Sequence, residues 1–469
     1  MTLADRLTTI PTPPTSTGSE LSVEERRRLV TAVADAVGRR TSDMVHTRLE
    51  AGGDVDEATE KVFAATEVHR EIAAVNESRL RAGTGPLSEL AGRTVFDGVM
   101  ARLFGLGELD QWWHNPDVEH IDINGFDSVW VTYAGGRRVL VPPVAESDDE
   151  LIDIVRTAAR RLGLLESDFD ARHPLLDVQL PDGSRLYAVF GGHRQQGVAV
   201  RPLVSIRRHR FLMLAPDDLV HLGLLPDAAN RFICAWVRAG GNLIVSGDWN
   251  AGKTTALRAW AGAIPPWHRV VTVEARLTEL GLHTNQIAHP NVAAMYSRPP
   301  GPEGDGEITV HDLVAGPTRR LNATRVICGE VLGPEIGPTL DLMSGSSRGS
   351  MFTIHAATSR AVITRCEQYG LMSVPPMQPL LVRYMLAQAL PLIVNLTGDE
   401  SVEGEMTRSV TSIREVTGLE GEHVGSTELW ATDRNDVLVP VAPLSKPMRD
   451  RLTRHGWVWE IDGWEREMP

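Results

Sequence analysis

The sequence predicts an α/β protein: a P-loop NTPase domain on a parallel sheet, preceded by an α+β domain and an N-terminal helical extension. Three observations carry this reading. The pattern G-x-x-x-x-G-K-[ST] is met by Gly247, Gly252, Lys253 and Thr254 in "NLIVSGDWNAGKTTAL", with an apolar run before it and a helix-like run after it. From Ala228 onward, short apolar runs ("NLIVSG", "RVVTVEA", "TRVICGE", "GSMFTIHA") are spaced by helical stretches. Buried strands separated by helices indicate a parallel sheet covered on both faces. Before that, "VEHIDINGFDSVWVTYAGGRRVLV" and "HPLLDVQLPDGSRLYAVF" alternate apolar and polar residues around Asn124-Gly125, Gly135-Gly136 and Asp182-Gly183, which is the pattern of hairpins.

In chain order, residues 1–20 are rich in Thr, Pro and Ser and read as a disordered lead. Residues 21–95 read as a charged helical extension, with Leu29, Val33, Val37, Val62, Ile72 and Leu80 at apolar positions. Residues 96–212 form the expected α+β domain, in which "DDELIDIVRTAARRLG" is the helix. A linker is expected near "RHRFLMLAPDD", and residues 213–398 form the P-loop domain. Residues 399–469 alternate again ("SVTSIREVTG", "STELWATD", "DVLVPVA") and read as a β-rich continuation and tail.

The bulk numbers narrow the function classes. A chain of 469 residues implies two or three domains. A net charge of −14 counts against a protein that coats nucleic acid, which needs a basic footprint. Cys234, Cys328 and Cys366 are far apart and form no CxxC pair, so neither a disulfide framework nor a thiolate zinc site is expected. A reducing compartment is the simplest reading. The N-terminus lacks the apolar core of a signal peptide. "PLLVRYMLAQALPLIVNL" is broken by Arg383, Gln388, Pro391 and Asn395, and reads as a buried helix followed by a strand rather than a membrane span.

The P-loop motif calls for ATP and Mg²⁺. Backbone amides from Asn250 and Ala251 through Gly252, Lys253, Thr254 and Thr255 would wrap the β-phosphate, with the positive end of the following helix behind them. Lys253 would bridge the β- and γ-phosphates and the Thr254 hydroxyl would coordinate Mg²⁺. Asp248 and Trp249 stand on the rising limb, where side chains can point away; Trp249 is a candidate for covering a neighbouring surface. Glu330 closes the strand "TRVICGE", at the sheet edge where ligands bind, and is the candidate for polarising the attacking water, with an Mg²⁺-linked role possible. His355 closes "GSMFTIHA" and is the candidate γ-phosphate sensor. Glu274 closes "RVVTVE" and could hold the metal through water.

Together these segments resemble the secretion and pilus-assembly ATPases of the type II/type IV secretion superfamily, with tight-adherence (CpaF-type) pilus ATPases of actinobacteria as the nearest branch. The resemblance spans about residues 100 to 430. It rests on "LGELDQWWHNPDVEHIDINGFDSVWV", "DARHPLLDVQLPDGSRLYAV", "SIRRHR", "NAGKTT", "VTVEARLTELGL", "GEITVHDLV", "TRVICGE", "FTIHA" and "SIREVTG" in that order. It implies a RecA-like motor domain behind a mobile N-domain, a homo-hexameric ring, and nucleotide at the hinge. The family's carboxylate falls on Glu330, its histidine on His355, and its acidic box on Glu274 and Glu279. Its N-domain arginines fall on Arg185 and Arg207, and its arginines before the Walker B strand on Arg320 and Arg325. Ala275 after Glu274, Asn322 in place of the second arginine of the run before the Walker B strand, and Leu332 after "GEV" depart from the family pattern. The implied activity is ATP hydrolysis, slowed by those departures. The implied setting is cytoplasmic, at the inner face of the cell membrane, on the platform protein of a pilus or secretion machine. Two other readings stand beside it: a nucleotide-binding assembly scaffold, and a DNA-transfer motor of conjugation, which the charge disfavours.

Overall fold

Alternating sequence in the first half makes antiparallel strands, and continuous apolar runs in the second half make parallel ones. A computed structural model describes residues 21–457 except 162–168, 181, 193–196, 209–213, 276–278, 299, 301–304, 346–348 and 402–405. The expected disordered lead, 1–20, and the last part of the tail lie outside the described residues. The chain divides into two compact units, residues 1–210 and 211–469.

The first unit opens with three helices, Val23–Glu50, Glu57–Arg81 and Glu89–Phe104. Each begins at a side-chain cap: Ser22, Asp56 and Ser88 accept from the amides of Glu25, Thr59 and Ala91. Val30, Val33, Val37, Ala64, Val68, Val95 and Val99 form their shared core, whereas Val62 and Leu80 are exposed. The expected boundary at residue 95 falls inside the third helix. Val95 and Val99 continue its apolar periodicity, and the helix ends only at Gly105.

The same unit carries β1 (Val118–Asn124), β2 (Val129–Tyr133), β3 (Arg138–Val141), β4 (Leu175–Gln179), β5 (Arg185–Val189) and β6 (Leu203–Arg207). They form one antiparallel sheet in the order β3-β2-β1-β6-β5-β4. The helix Asp148–Arg161 covers it through Leu151, Ile152, Val155, Ala158 and Ala159, packed with Ile121, Val131, Leu186 and Ile206.

The second unit carries β7 (Leu243–Gly247), β8 (Val270–Glu274), β9 (Val292–Tyr296), β10 (Arg325–Val331), β11 (Met351–His355), β12 (Leu392–Glu400), β13 (Met406–Glu420), β14 (His423–Thr432) and β15 (Leu438–Pro440). The sheet order is β15-β14-β13-β12-β7-β11-β10-β8-β9. β12, β7, β11, β10, β8 and β9 run parallel, and β13, β14 and β15 extend the edge antiparallel. The alternating segments after residue 399 thus join the same sheet. Leu243 and Val245 enter a core with Phe232, Trp236 and Trp260, whereas Ile244 enters another with Leu340, Phe352 and Ile354. This is the two-sided burial that a parallel sheet requires.

Asn242, just before β7, ties three elements to the sheet. Its Nδ2 donates to the carbonyls of Met343 (2.9 Å) and Ala389 (2.7 Å), near the C-termini of the helices Ile336–Ser344 and Pro379–Ala389. Its Oδ1 accepts from the Ser350 amide at 2.9 Å. Helix C-termini leave carbonyls without intrahelical donors, and burying them unpaired is costly. Asn242→Ala is expected to lower unfolding stability by about 3 kcal/mol or more. Denaturant unfolding measures it, and a loss under about 1 kcal/mol would contradict this account.

Candidate nucleotide-phosphate site

The parallel register brings three strand ends together. Gly247 of β7 pairs with His355 of β11 on one side and with Leu396 of β12 on the other. Val331 of β10, one residue past Glu330, pairs with Ile354 of β11. Gly247, His355 and Glu330 therefore share the C-terminal edge, where parallel sheets hold their ligands.

The loop between β7 and the helix Lys253–Ala261 is bent by two left-handed residues, Asn250 (φ 60°) and Gly252 (φ 86°). Asn tolerates this region and Gly has no steric penalty there. The first turn of that helix, Lys253, Thr254 and Thr255, has amides with no intrahelical carbonyl to bind. Such a curl of amides at a helix N-terminus fits an anion. Asp248 and Trp249 have exposed side chains, and it is the Asp248 carbonyl that faces inward, accepting from Lys253 Nζ at 2.7 Å. Arg408 on β13 braces the outside of the loop, donating from Nε to the Asn250 carbonyl at 2.8 Å.

Lys253, His355 and Glu330 form a continuous chain of contacts. Lys253 Nζ lies 3.1 Å from His355 Nδ1, and His355 Nε2 lies 2.7 Å from Glu330 Oε1. An ammonium can only donate, so His355 Nδ1 is the acceptor and Nε2–H donates to the carboxylate. Burial and then the Lys253 charge hold the imidazole below its ordinary pKa, with Glu330 pulling the other way. Two further contacts fix the ring and its strand. The Trp249 indole stacks on the imidazole with centroids 4.3 Å apart at 30°. Arg365 Nε donates to the His355 carbonyl at 3.1 Å.

Glu274 is placed differently from the sequence expectation. It is 1% exposed, Oε2 accepts from the Leu280 amide at 2.7 Å, and Oε1 accepts from the Thr272 hydroxyl at 3.2 Å. Burial pushes its carboxyl up to about 8, despite the Leu280 amide. Both oxygens are thus hydrogen-bonded, one to Thr272 within β8 and one to the segment after it, so Glu274 anchors that segment. Arg258 of the loop helix donates to the Glu279 carbonyl in the same region. Among the described residues no group of three His, Cys, Asp or Glu side chains could hold a metal ion. Of the residues expected to hold Mg²⁺ carried in with a nucleotide, Thr254 stands in the first turn of the loop helix and Glu330 near the end of β10, where its carboxylate meets His355 Nε2. The ion would neutralise charge on the β- and γ-phosphates.

Arg185 and Arg207 are registered opposite each other on β5 and β6 in the first unit, and Arg185 pairs with Asp177 at 2.9 Å. Arg325 is fully buried at the start of β10, the end of the strand opposite Glu330, and donates from Nε to His268 Nδ1 at 3.0 Å. Asn322 occupies a left-handed turn (φ 55°), which an arginine would adopt at greater cost. Leu332 is half-exposed beyond the end of β10. Sequence reasoning missed Arg365 and Arg408, which are far from the motif in sequence and follow no spacing rule.

The chain is similar to several known proteins. The chain is 28% identical over 347 residues to a protein of Mycobacterium tuberculosis (strain H37Rv) provisionally named for conjugal transfer, covering 72% of this chain and 91% of that one. It is 26% identical over 269 residues to the protein VirB11 of Agrobacterium fabrum, covering 53% and 74%. Among solved structures, the Legionella pneumophila ATPase DotB aligns at a TM-score of 0.45 and 16% identity, over 66% of this chain and 79% of that one. The pilus retraction motor PilT aligns at a TM-score of 0.45 and 13% identity, over 74% and 86%. A family model described as type II/IV secretion system protein matches residues 115–422, and the chain belongs to that family.

Proposed function

We propose that this chain is a Mg²⁺-dependent ATPase that works as a homo-hexameric motor on the membrane-embedded platform of a pilus or secretion machine. The observation that carries it is the Lys253–His355–Glu330 chain of contacts at the mouth of the phosphate loop. A loop that only held nucleotide would not need a carboxylate and an imidazole aligned on its lysine. In this reading the loop amides and Lys253 bind the phosphates, and Thr254 holds the metal. Glu330 takes the proton of the attacking water, and His355 reports the γ-phosphate. Arg185 and Arg207 are proposed as the cations that meet the developing phosphoryl charge. No helix among the described residues is long and apolar enough to cross a membrane. Attachment from the cytoplasmic face through a partner is therefore part of the proposal.

The tight-adherence branch remains our preferred assignment. A second reading, DNA transfer, is favoured by the name of the Mycobacterium tuberculosis relative. Phosphate release by the purified protein with Mg²⁺ tests both. Lys253→Ala is expected to abolish it, because the ammonium is lost from the β/γ-phosphates. Removing Mg²⁺ with a chelator is expected to do the same. A wild type that binds ATP without releasing phosphate would leave the scaffold reading standing. Stimulation by single- or double-stranded DNA would favour transfer over pilus assembly.

A further inference from the structure

We infer that Trp249 is a positioning residue, coupling the conformation of the phosphate loop to the His355–Glu330 pair. The inference rests on the hydrolytic reading above. Trp249 is 79% exposed, yet one face of its indole lies on the His355 ring at 4.3 Å. A large aromatic on a solvent-facing loop gains little from burial there. Among the described residues, its ring contact is with the imidazole that joins Lys253 to Glu330. Three contacts hold the imidazole itself, Lys253 on Nδ1, the Glu330 carboxylate on Nε2 and the indole on its face, and Arg365 holds the His355 carbonyl.

The geometry has a mechanical consequence. Trp249 stands on the same short loop as the amides that would wrap the phosphate, four residues before Lys253. When Lys253 turns from His355 Nδ1 and the Asp248 carbonyl toward a phosphate oxygen, the loop carrying Trp249 is the segment that must adjust. The stack passes that adjustment to His355 and so to Glu330. Neither ring is a proton donor or acceptor in this coupling; Trp249 sets where the imidazole points.

A double-mutant cycle tests it. Trp249→Ala is expected to lower kcat for ATP hydrolysis roughly 3- to 10-fold with KM within about twofold, the range an aromatic pair supplies. Trp249→Phe, which preserves a stacking face, should restore most of the rate. In a His355→Ala background, Trp249→Ala should have no further effect. Equal losses with and without His355, or a loss confined to KM, would overturn the coupling and leave Trp249 as a loop-folding residue. If the wild type releases no phosphate, the hydrolytic reading fails separately, and the stack is still read by fluorescence without turnover. The emission difference between wild type and Trp249→Phe should shift to the red on His355→Ala, as the indole loses its cover. It should also change on adding a slowly hydrolysed ATP analogue. An unmoved difference spectrum in both cases would overturn the inference.

Discussion

Glu330→Gln is expected to lower kcat about a hundredfold to ten-thousandfold while leaving ATP affinity within about twofold. Glutamine matches glutamate in size, and its amide oxygen can still accept from His355 Nε2–H across the present 2.7 Å. The imidazole therefore keeps its orientation and Lys253 keeps its neighbour. Only the negative charge and the ability to take a proton are removed. Because the loop amides and Lys253 are the groups proposed to hold the phosphates, ground-state binding should hardly notice. Phosphate release and titration with a fluorescent ATP analogue separate the two quantities. Equal kcat in wild type and variant would remove Glu330 from the chemistry. Equal loss of affinity and rate would assign it to binding instead.

The strand edge that gathers Gly247, His355 and Glu330 was legible in the sequence to the extent that it is local. The loop from Gly247 to Thr255 is a contiguous motif, His355 ends an apolar strand and Glu330 stands one residue before the end of another. A parallel sheet aligns such ends without any further information. What could not be read is what crosses the sheet or the loop. Trp249 meets His355 across 106 positions, and Arg408 meets Asn250 across 158. No periodicity links residues so far apart, since the contact exists only once β7, β11, β12 and β13 are in register. Glu274 shows what a strand end leaves open. Its strand-end position was visible, but a strand end does not reveal whether a carboxylate turns outward to a ligand or inward to Thr272 and the Leu280 amide. The first helical segment shows a third kind. A boundary placed near residue 95 divides an unbroken helix, because Gly92 and Gly98 lie within it without ending it. Asn322 adds a case where a departure from the family pattern has a backbone cause, a turn with φ 55°.

Gly247→Ala is expected to abolish nucleotide binding by breaking the sheet rather than by obstructing phosphate. A methyl at Gly247 would stand 2.2 Å from the Leu396 carbonyl oxygen, which belongs to the backbone of the adjoining strand β12 and cannot rotate away. The residue also has φ 150°, a conformation L side chains rarely adopt. Relief requires β7 and β12 to separate where Ser246 also bonds Asn395 at 2.8 Å, so the cost should exceed about 4 kcal/mol. The second motif glycine differs. A methyl at Gly252 would meet only Arg408 Cδ at 3.4 Å, the stem of a flexible side chain. Its strain is that of φ 86° alone, about 1 to 2 kcal/mol, and the fold should survive it. Gly252→Ala should therefore melt within a few degrees of wild type while binding ATP poorly, because the amide curl it anchors is displaced. Gly247→Ala should lose its melting transition and its ATP binding together. Thermal unfolding beside nucleotide titration for the two variants tests the distinction. A Gly247→Ala protein that melts like wild type would show that the first glycine serves the phosphate directly and that β12 yields more readily than its contacts imply.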